Sequence, residues 1–158
     1  MREFLVIFVC TGNQCRSPMA EHLLRRRLGG NSEWKVASAG TSAIGGSPAS
    51  AGAMTAMADI GIDISNHRSR RLTREMIDEA DLIVAMGGAH RDQVVRMSQA
   101  AADKVFLLKS FGTAAPKADV EDPVGLSDEV YRQIRDEIDA ELPDLALFLQ
   151  EYGEDVKI

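Results

Sequence analysis

The amino-acid sequence predicts an α/β fold: a single doubly wound sheet of four parallel strands with helices on both faces. The first observation behind this prediction is the segment FLVIFV at residues 4–9. Continuous apolar runs rich in β-branched and aromatic residues are typical of strands buried on both faces. The second is the alternation of such runs with helix-like segments, which favours parallel strands joined by right-handed crossovers.

The first helix is predicted directly after the first strand, over residues 18–28. Ser17 suits its N-cap, because a serine hydroxyl accepts a hydrogen bond from a free amide of the first turn. Pro18 suits the first helical position, where a missing N–H is tolerated. Gly29 and Gly30 follow the last apolar position, and glycine commonly ends a helix.

The other strands and helices follow along the chain, with two helices between the second and third strands. The remaining strands are predicted at 34–40, 81–86 and 104–109, and the remaining helices at 48–61, 72–80, 90–102 and 127–152. Pro143 predicts a kink in the last helix, because a proline removes one helical hydrogen bond. The segment 110–125 is long and has no regular pattern, so it is a candidate functional loop.

Length and composition favour one domain over residues 1–158, since a chain of this size buries a sizeable core. The formal net charge of −6 argues against nucleic acid and anionic membranes as partners. No apolar run reaches the ~20 residues of a membrane span, and the N-terminal segment lacks the features of a signal peptide. Two cysteines are too few for a disulfide framework, so we expect a cytoplasmic protein with reduced thiols.

Both cysteines lie in one segment, VCTGNQCRSP at residues 9–18, where the first strand ends. In open parallel sheets, ligands bind at this edge. A tight loop that leads into a helix forms an anion site, because its amides point inward and the helix dipole favours negative charge. Gly12 lets such a loop curl, and Asn13 tolerates a left-handed backbone.

Cys10 and Arg16 give this anion site a specific chemistry. The guanidinium of Arg16, six residues after Cys10, can bind two oxygens of a phosphate. The same positive surroundings favour the thiolate of Cys10, which is a nucleophile for phosphoryl transfer. The loop lacks Gly-Lys-Ser/Thr and so differs from the nucleotide-binding P-loop. Taken alone, however, a cysteine is more often an ordinary buried thiol.

An extended form of this segment, FVCTGNQCRSPMAE, strongly resembles the low-molecular-weight protein tyrosine phosphatases. The resemblance continues, in the same order, through SAGT at 38–41, GIDISNHRSRRLT at 61–73, ADLIVAM at 80–86 and EDP at 121–123. It therefore covers nearly the whole chain. The segments CTGN, CRSPMAE and YRQIRDEI are also similar to the bacterial protein-arginine phosphatases, a close branch.

The resemblance implies a role for each matched residue. It implies a phosphate-binding loop of Thr11, Gly12, Asn13, Gln14, Cys15, Arg16 and Ser17. Cys10 matches the nucleophile, Arg16 the phosphate-binding arginine and Asp122 the general acid, which later deprotonates the hydrolytic water. An Asp-Pro pair also commonly starts a turn, which is the alternative for Asp122.

Other matched residues are implied to support the nucleophile. Asn13 would hold the shape of the loop through Ser38 and His67, and the hydroxyl of Ser17 would support the thiolate. Cys15 matches a cysteine that can form a disulfide with the nucleophile under oxidation, which would protect the nucleophile from overoxidation.

Three positions that match the pocket wall differ from the family pattern. Gln14 stands where tyrosine phosphatases carry an aliphatic residue and arginine phosphatases a threonine. Ile44 and Val124 stand where many members carry an aromatic side chain. An aromatic wall would stack on a phenyl ring for about 0.5–1.5 kcal/mol beyond the burial of apolar area, and this pocket is expected to lack it.

The resemblance implies a protein tyrosine phosphatase that acts through a phosphocysteine intermediate without a cofactor. The alternatives are a protein-arginine phosphatase, an arsenate reductase and a non-catalytic phosphate-binding or redox-sensing module. The expected partner is a phosphorylated protein, with inhibition by phosphate and other oxyanions, and the oligomeric state stays open. No metal is expected, because His22, His67 and His90 lack metal-ligand spacing in the sequence.

Overall fold

A computed structural model describes residues 3–111 and 119–156. Its sheet contains four strands, β1 (Phe4–Cys10), β2 (Trp34–Gly40), β3 (Leu82–Ala85) and β4 (Val105–Leu107). The strands are all parallel and lie in the order β2-β1-β3-β4. The predicted α/β fold with a four-stranded parallel sheet is therefore confirmed, and β1 occupies the interior of the sheet.

The helices are α1 (Arg16–Leu28), α2 (Ala51–Ala58), α3 (Arg74–Glu79), α4 (Gly88–Met97) and α5 (Asp128–Val156). Two short 3₁₀ helices, Gln99–Asp103 and Leu108–Ser110, flank β4. The predicted fourth helix (90–102) and fourth strand (104–109) extended too far at their ends, because each element is followed by one of these 3₁₀ helices. Helix α5 runs through Pro143, and residues 112–118 of the predicted loop 110–125 lie outside the described residues.

The predicted N-cap of α1 is wrong. The helix begins at Arg16, with Cys15 at the N-cap and no side-chain cap, so Ser17 and Pro18 both lie inside the first turn. Pro18 is still tolerated there because first-turn amides have no partner within the helix. Ser17 is fully buried and its hydroxyl bonds to other side chains, which leaves it no role as a cap.

Helices cover both faces of the sheet. Alternate β1 residues Val6 and Phe8 belong to a buried cluster with α1, α2 and α5, whereas Ile7 and Val9 belong to a cluster with α3 and α4. Because successive strand side chains point to opposite faces, this division is the doubly wound arrangement predicted from the sequence. Among the described residues, no helix combines the length and apolar character needed to cross a membrane.

Candidate active site

The segment that joins β1 to α1 lies at the carboxyl edge of the sheet, at a topological switch point. β1 pairs with β2 on one side and with β3 on the other, so the connections that leave these strands diverge there and form a crevice. Cys10 ends β1 and pairs with Gly40 at the end of β2. We call residues 10–17 the phosphate loop.

Gly40 allows β2 to approach the phosphate loop closely. A Cβ atom on Gly40 would lie 2.5 Å from the Thr11 carbonyl oxygen, 2.9 Å from Ala43 Cβ and 3.0 Å from the Asn13 nitrogen. Separations below 3.0 Å between a Cβ and backbone atoms require the backbone to move. Gly40 lies within the SAGT segment, but no pattern in the sequence indicates this contact, because it forms only when the strands pair.

Asn13 organises the phosphate loop from its interior. Its backbone has φ of 57°, in the left-handed region that asparagine tolerates. Its Nδ2 donates to Ser17 Oγ at 2.8 Å and to Ser38 Oγ at 2.9 Å, and its Oδ1 accepts from the Arg70 amide at 2.9 Å. His67 Nε2 lies 2.7 Å from the Asn13 carbonyl oxygen. The structure therefore brings Asn13, Ser38 and His67 together.

The direction of these hydrogen bonds determines what Ser17 offers to the sulfur of Cys10. Because Ser17 Oγ accepts from Asn13, its own hydrogen is available for Cys10 Sγ, 2.8 Å away. A hydroxyl that donates to sulfur stabilises negative charge there. Cys10 is only 2% exposed, so the thiolate would lie at the floor of the loop with a fixed donor beneath it.

Arg16 connects the phosphate loop to the segment that follows residue 118. Its guanidinium donates to the Val120 carbonyl at 3.1 Å and to Thr11 Oγ1 at 3.4 Å. One terminal nitrogen also lies 3.5 Å from Asp122 Oδ2. The side chain is 7% exposed, and this buried, directed fork is suited to bind two oxygens of a tetrahedral anion.

Asp122 lies at the mouth of the site. Its Oδ1 accepts a hydrogen bond from the Val124 amide at 3.1 Å, so the carboxylate also forms the turn that its Asp-Pro sequence predicts. Its other oxygen faces Arg16. The turn and the approach to Arg16 are thus compatible, because each uses a different oxygen.

Cys15 differs from Cys10 although it belongs to the same loop. Its S–H donates to Ser50 Oγ at 3.2 Å, and Tyr131 Oη lies 3.4 Å from its sulfur. Burial raises the pKa of Cys15, which favours the neutral thiol. Burial together with the bond to Cys15 raises the pKa of Tyr131 to about 12. Both cysteines are free thiols in the structure.

His90 is a site residue that no motif in the sequence indicates. It lies in the first turn of α4, and its Nε2 is 2.8 Å from Thr11 Oγ1, the oxygen that also accepts from Arg16. Burial, and then the charge of Arg16, lower the pKa of His90, which favours its neutral form. Its position in the sequence could have indicated this role, because it closely follows the predicted strand 81–86, whose carboxyl end lies at the same sheet edge as Cys10.

A small cavity of about 40 Å³ lies over the sulfur of Cys10. The residues that line it are Cys10, Gly12, Gln14, Cys15, Arg16, Asp122 and Val124. It therefore contains the matched nucleophile, arginine and acid, and two of the three predicted wall residues. Ile44 is 95% exposed and does not line this cavity.

Comparisons with known proteins agree with this geometry. The family model described as low molecular weight phosphotyrosine protein phosphatase matches residues 5–157. A protein-arginine-phosphatase of Geobacillus stearothermophilus is 42% identical over 147 residues, which is 93% of this chain and 97% of that protein. The probable low molecular weight protein-tyrosine-phosphatase EpsP of Ralstonia solanacearum is 42% identical over 118 residues, 75% of this chain and 77% of that protein.

A solved structure described as YwlE arginine phosphatase from Geobacillus stearothermophilus superposes with a TM-score of 0.86 at 40% identity. The superposition covers 96% of each chain. An arsenate reductase of Halalkalibacterium halodurans is 38% identical over 139 residues, 87% of this chain and 91% of that protein. Relatives of similar identity thus have three different names, so overall similarity does not select the substrate.

Proposed function

Because the chain belongs to the low molecular weight phosphotyrosine protein phosphatase family, we propose that it hydrolyses phosphorylated side chains of proteins through a phosphocysteine on Cys10. The observation that carries the proposal is one cavity, lined by Cys10, Arg16 and Asp122 together. A nucleophile, an anion-binding guanidinium and a proton donor are the groups that phosphate transfer to a thiol requires.

In the first step, the Cys10 thiolate attacks phosphorus and forms the S–P bond while the bond to the leaving group breaks. The protonated carboxyl of Asp122 gives its proton to the leaving atom, so a phenol departs from phosphotyrosine, or a guanidinium from phosphoarginine. Arg16 and the loop amides bind the phosphoryl oxygens. The Ser17 hydroxyl, 2.8 Å from the sulfur, stabilises the thiolate before attack.

In the second step, water attacks the phosphocysteine. The Asp122 carboxylate takes a proton from that water as the O–P bond forms and the S–P bond breaks. The products are inorganic phosphate and the Cys10 thiolate, and Asp122 is again protonated, so the cycle closes. Inorganic phosphate occupies the same loop and is expected to inhibit.

Phosphotyrosine is the first proposed substrate, and phosphoarginine is the second candidate. The second is favoured by the cavity wall, because Gln14 and Val124 line it and no aromatic side chain does so among the described residues. A glutamine carbonyl can accept a hydrogen bond from a guanidinium, whereas a tyrosine ring offers no donor to match it. Arsenate reduction through a relay of further thiols is disfavoured, because the chain has only two cysteines.

The experiment is a side-by-side measurement of kcat/KM on phosphotyrosine and phosphoarginine peptides of otherwise identical sequence. Cys10→Ser should turn over neither peptide, because a serine hydroxyl without a nearby base is a poor nucleophile. Circular dichroism and phosphate binding on the same variant show whether the fold and loop are retained. Substantial turnover by a folded Cys10→Ser protein would remove Cys10 from the mechanism.

We also propose a cytoplasmic location, since the mechanism depends on a free thiol at position 10. Both cysteines are unpaired in the structure, and reducing compartments maintain thiols in this state. The experiment is fractionation of cells that express the tagged chain, and recovery from an oxidising compartment would contradict the proposal.

A further inference from the structure

A second cavity, of about 440 Å³, lies behind the phosphate loop and shares no lining residue with the cavity over Cys10. Glu21 and His22 of α1 line it together with His67. One potential ligand atom from each of these three side chains lies within 4.8 Å of the others. We propose that Glu21, His22 and His67 bind one divalent transition-metal ion of the Zn²⁺ type. We call these three residues the rear cluster.

His67 is oriented as a ligand by its contact with the phosphate loop. Its Nε2 lies 2.7 Å from the Asn13 carbonyl oxygen, which can only accept, so Nε2 carries the proton. A neutral His67 therefore keeps its lone pair on Nδ1, an atom with no hydrogen-bond partner within the described part of the chain. Metal-binding histidines typically donate their second ring nitrogen to a carbonyl in this way.

Glu21 is held in a similar manner. Its Oε1 accepts a hydrogen bond from Ser38 Oγ at 2.5 Å, which fixes the carboxylate. Its Oε2 pairs with Arg25 at 2.5 Å, and Arg25 also donates to the Val36 carbonyl at 2.7 Å. Arg25 is half exposed, so it can release Oε2 to a metal ion and keep its bond to Val36.

His22 supplies the third ligand and lies next to Glu21 on α1. Its Nε2 lies 3.9 Å from Glu21 Oε2, and Arg25 Nη1 lies 3.4 Å from its Nδ1. Movement of Arg25 therefore frees both Glu21 and His22 for a metal ion, which binds a neutral imidazole nitrogen.

The donor types favour a transition metal over Mg²⁺ or Ca²⁺. Two imidazoles and one carboxylate are a frequent zinc ligand set that leaves a fourth position open. Mg²⁺ and Ca²⁺ prefer oxygen ligands throughout. The three ligand atoms lie within 4.8 Å of one another and must move closer together for each to lie about 2.0–2.2 Å from one ion. Displacement of Arg25 is the main rearrangement required.

A bound ion would couple the rear cluster to the phosphate loop. His67 contacts the Asn13 carbonyl, and Glu21 reaches the Asn13 side chain through Ser38. Both links are retained when the free lone pairs bind metal, so the ion would hold the loop in its present conformation. The expected consequence is a higher midpoint of thermal unfolding, because a ligand that binds only the folded state stabilises it.

The test is calorimetric titration of ZnCl₂ into the full chain in a buffer without phosphate or chelator. Cys10→Ser and Cys15→Ser are both introduced first, because thiolates bind zinc strongly and would obscure a second site. We expect one Zn²⁺ per chain and a raised midpoint. Addition of His22→Ala to this background should weaken binding by about tenfold or more, since it removes a ligand. His90→Gln is the matched control, because it removes the histidine outside the cluster, and it should leave binding unchanged.

A second measurement works without cluster variants. In NMR spectra of the histidine rings, Zn²⁺ should shift the His22 and His67 signals in a one-to-one titration and leave those of His90 unchanged. Absence of binding in the background without thiols overturns the proposal. Equal affinity after His22→Ala also overturns it, as does a shift confined to His90. None of these results bears on phosphatase activity, so the two proposals fail independently.

Discussion

The phosphate loop and the segment 119–125 face the same small cavity but are built differently. In the phosphate loop, Cys10 is 2% exposed and Arg16 7% exposed, and a hydrogen bond from Asn13 connects the loop interior to Ser38 of β2. In the second segment, the Asp122 side chain is 47% exposed and Val124 is 64% exposed. The anion site is thus part of the folded core, whereas the proposed proton donor and pocket wall lie at the surface.

The second segment is fixed at its beginning and exposed at its tip. The Val120 amide donates to the Met86 carbonyl at 2.7 Å, and the Val120 carbonyl accepts from Arg16 at 3.1 Å. Asp119 accepts from the Gly88 amide at 2.9 Å. Substitutions in the phosphate loop should therefore affect stability and chemistry together, whereas substitutions at the tip should affect chemistry alone.

Asp122→Asn is the substitution with the largest expected effect that separates the two regions. We expect hydrolysis of phosphorylated peptides to slow by about 10²–10⁴-fold, the usual effect of losing a positioned proton donor. The midpoint of thermal unfolding should barely change, because the side chain is half exposed. On para-nitrophenyl phosphate the loss should be smaller, since that leaving group needs less protonation. Equal losses on both substrates would contradict the role of Asp122 as general acid.

Gly40→Ala tests the buried side of the comparison. The added Cβ would lie 2.5 Å from the Thr11 carbonyl oxygen, so we expect a loss of about 1–3 kcal/mol in the free energy of unfolding together with reduced kcat. Gly30→Ala is the matched control, because a Cβ there meets nothing within 4 Å. Urea denaturation of both variants gives the measurement. Equal free energies of unfolding for Gly40→Ala and Gly30→Ala would contradict the close contact between β2 and the phosphate loop.

The two cysteines provide a redox test within one loop. Mild peroxide should inactivate the protein reversibly, because a sulfenic acid on Cys10 is trapped as a disulfide with Cys15. Cys15→Ser should lose activity irreversibly under the same treatment, since no thiol remains to trap the sulfenic acid. Activity is measured after dithiothreitol is added to each protein. Equal rescue of both proteins would show that Cys15 does not protect Cys10.

Gln14→Ile is expected to have the smallest effect, because the cavity mouth is open to water. Against the ring of a phosphotyrosine, the Gln14 amide would lose hydrogen bonds to water, which costs up to about 1–3 kcal/mol when water is excluded. Water that enters the open cavity reduces this cost. The substitution should raise kcat/KM for phosphotyrosine peptides and lower it for phosphoarginine peptides. If both values move in the same direction, position 14 does not select the substrate.

Elements with a strong local sequence pattern were predictable, whereas features that depend on contacts between distant segments were not. The four strands and their parallel direction were predictable because FLVIFV and the segments like it carry a strong local pattern. The cap at Ser17 was mispredicted because tertiary contacts with Asn13 and Cys10 outweigh a local capping preference. Helix ends at α2 and α4 were displaced by a few residues, where local pattern is weakest.

Within the site, motif positions were predictable and cross-chain contacts were not. Asn13 contacts both Ser38 and His67, and the support that these contacts give to the loop stays a prediction. The contact of Thr11 with His90 joins residues 79 positions apart, and no spacing rule within one element predicts it. The closeness of His67 to Glu21 and His22 also joins distant parts of the chain, so no spacing in the sequence indicates it.

The central claim, that Cys10 carries the phosphoryl group during turnover, is tested most directly by acid-quenching the enzyme during steady-state hydrolysis. Peptide mass spectrometry then identifies the modified residue. The account predicts one phosphoryl group on the peptide that contains Cys10, lost on incubation in neutral buffer. A phosphoryl group on any other residue, or none at all during rapid turnover, would contradict it.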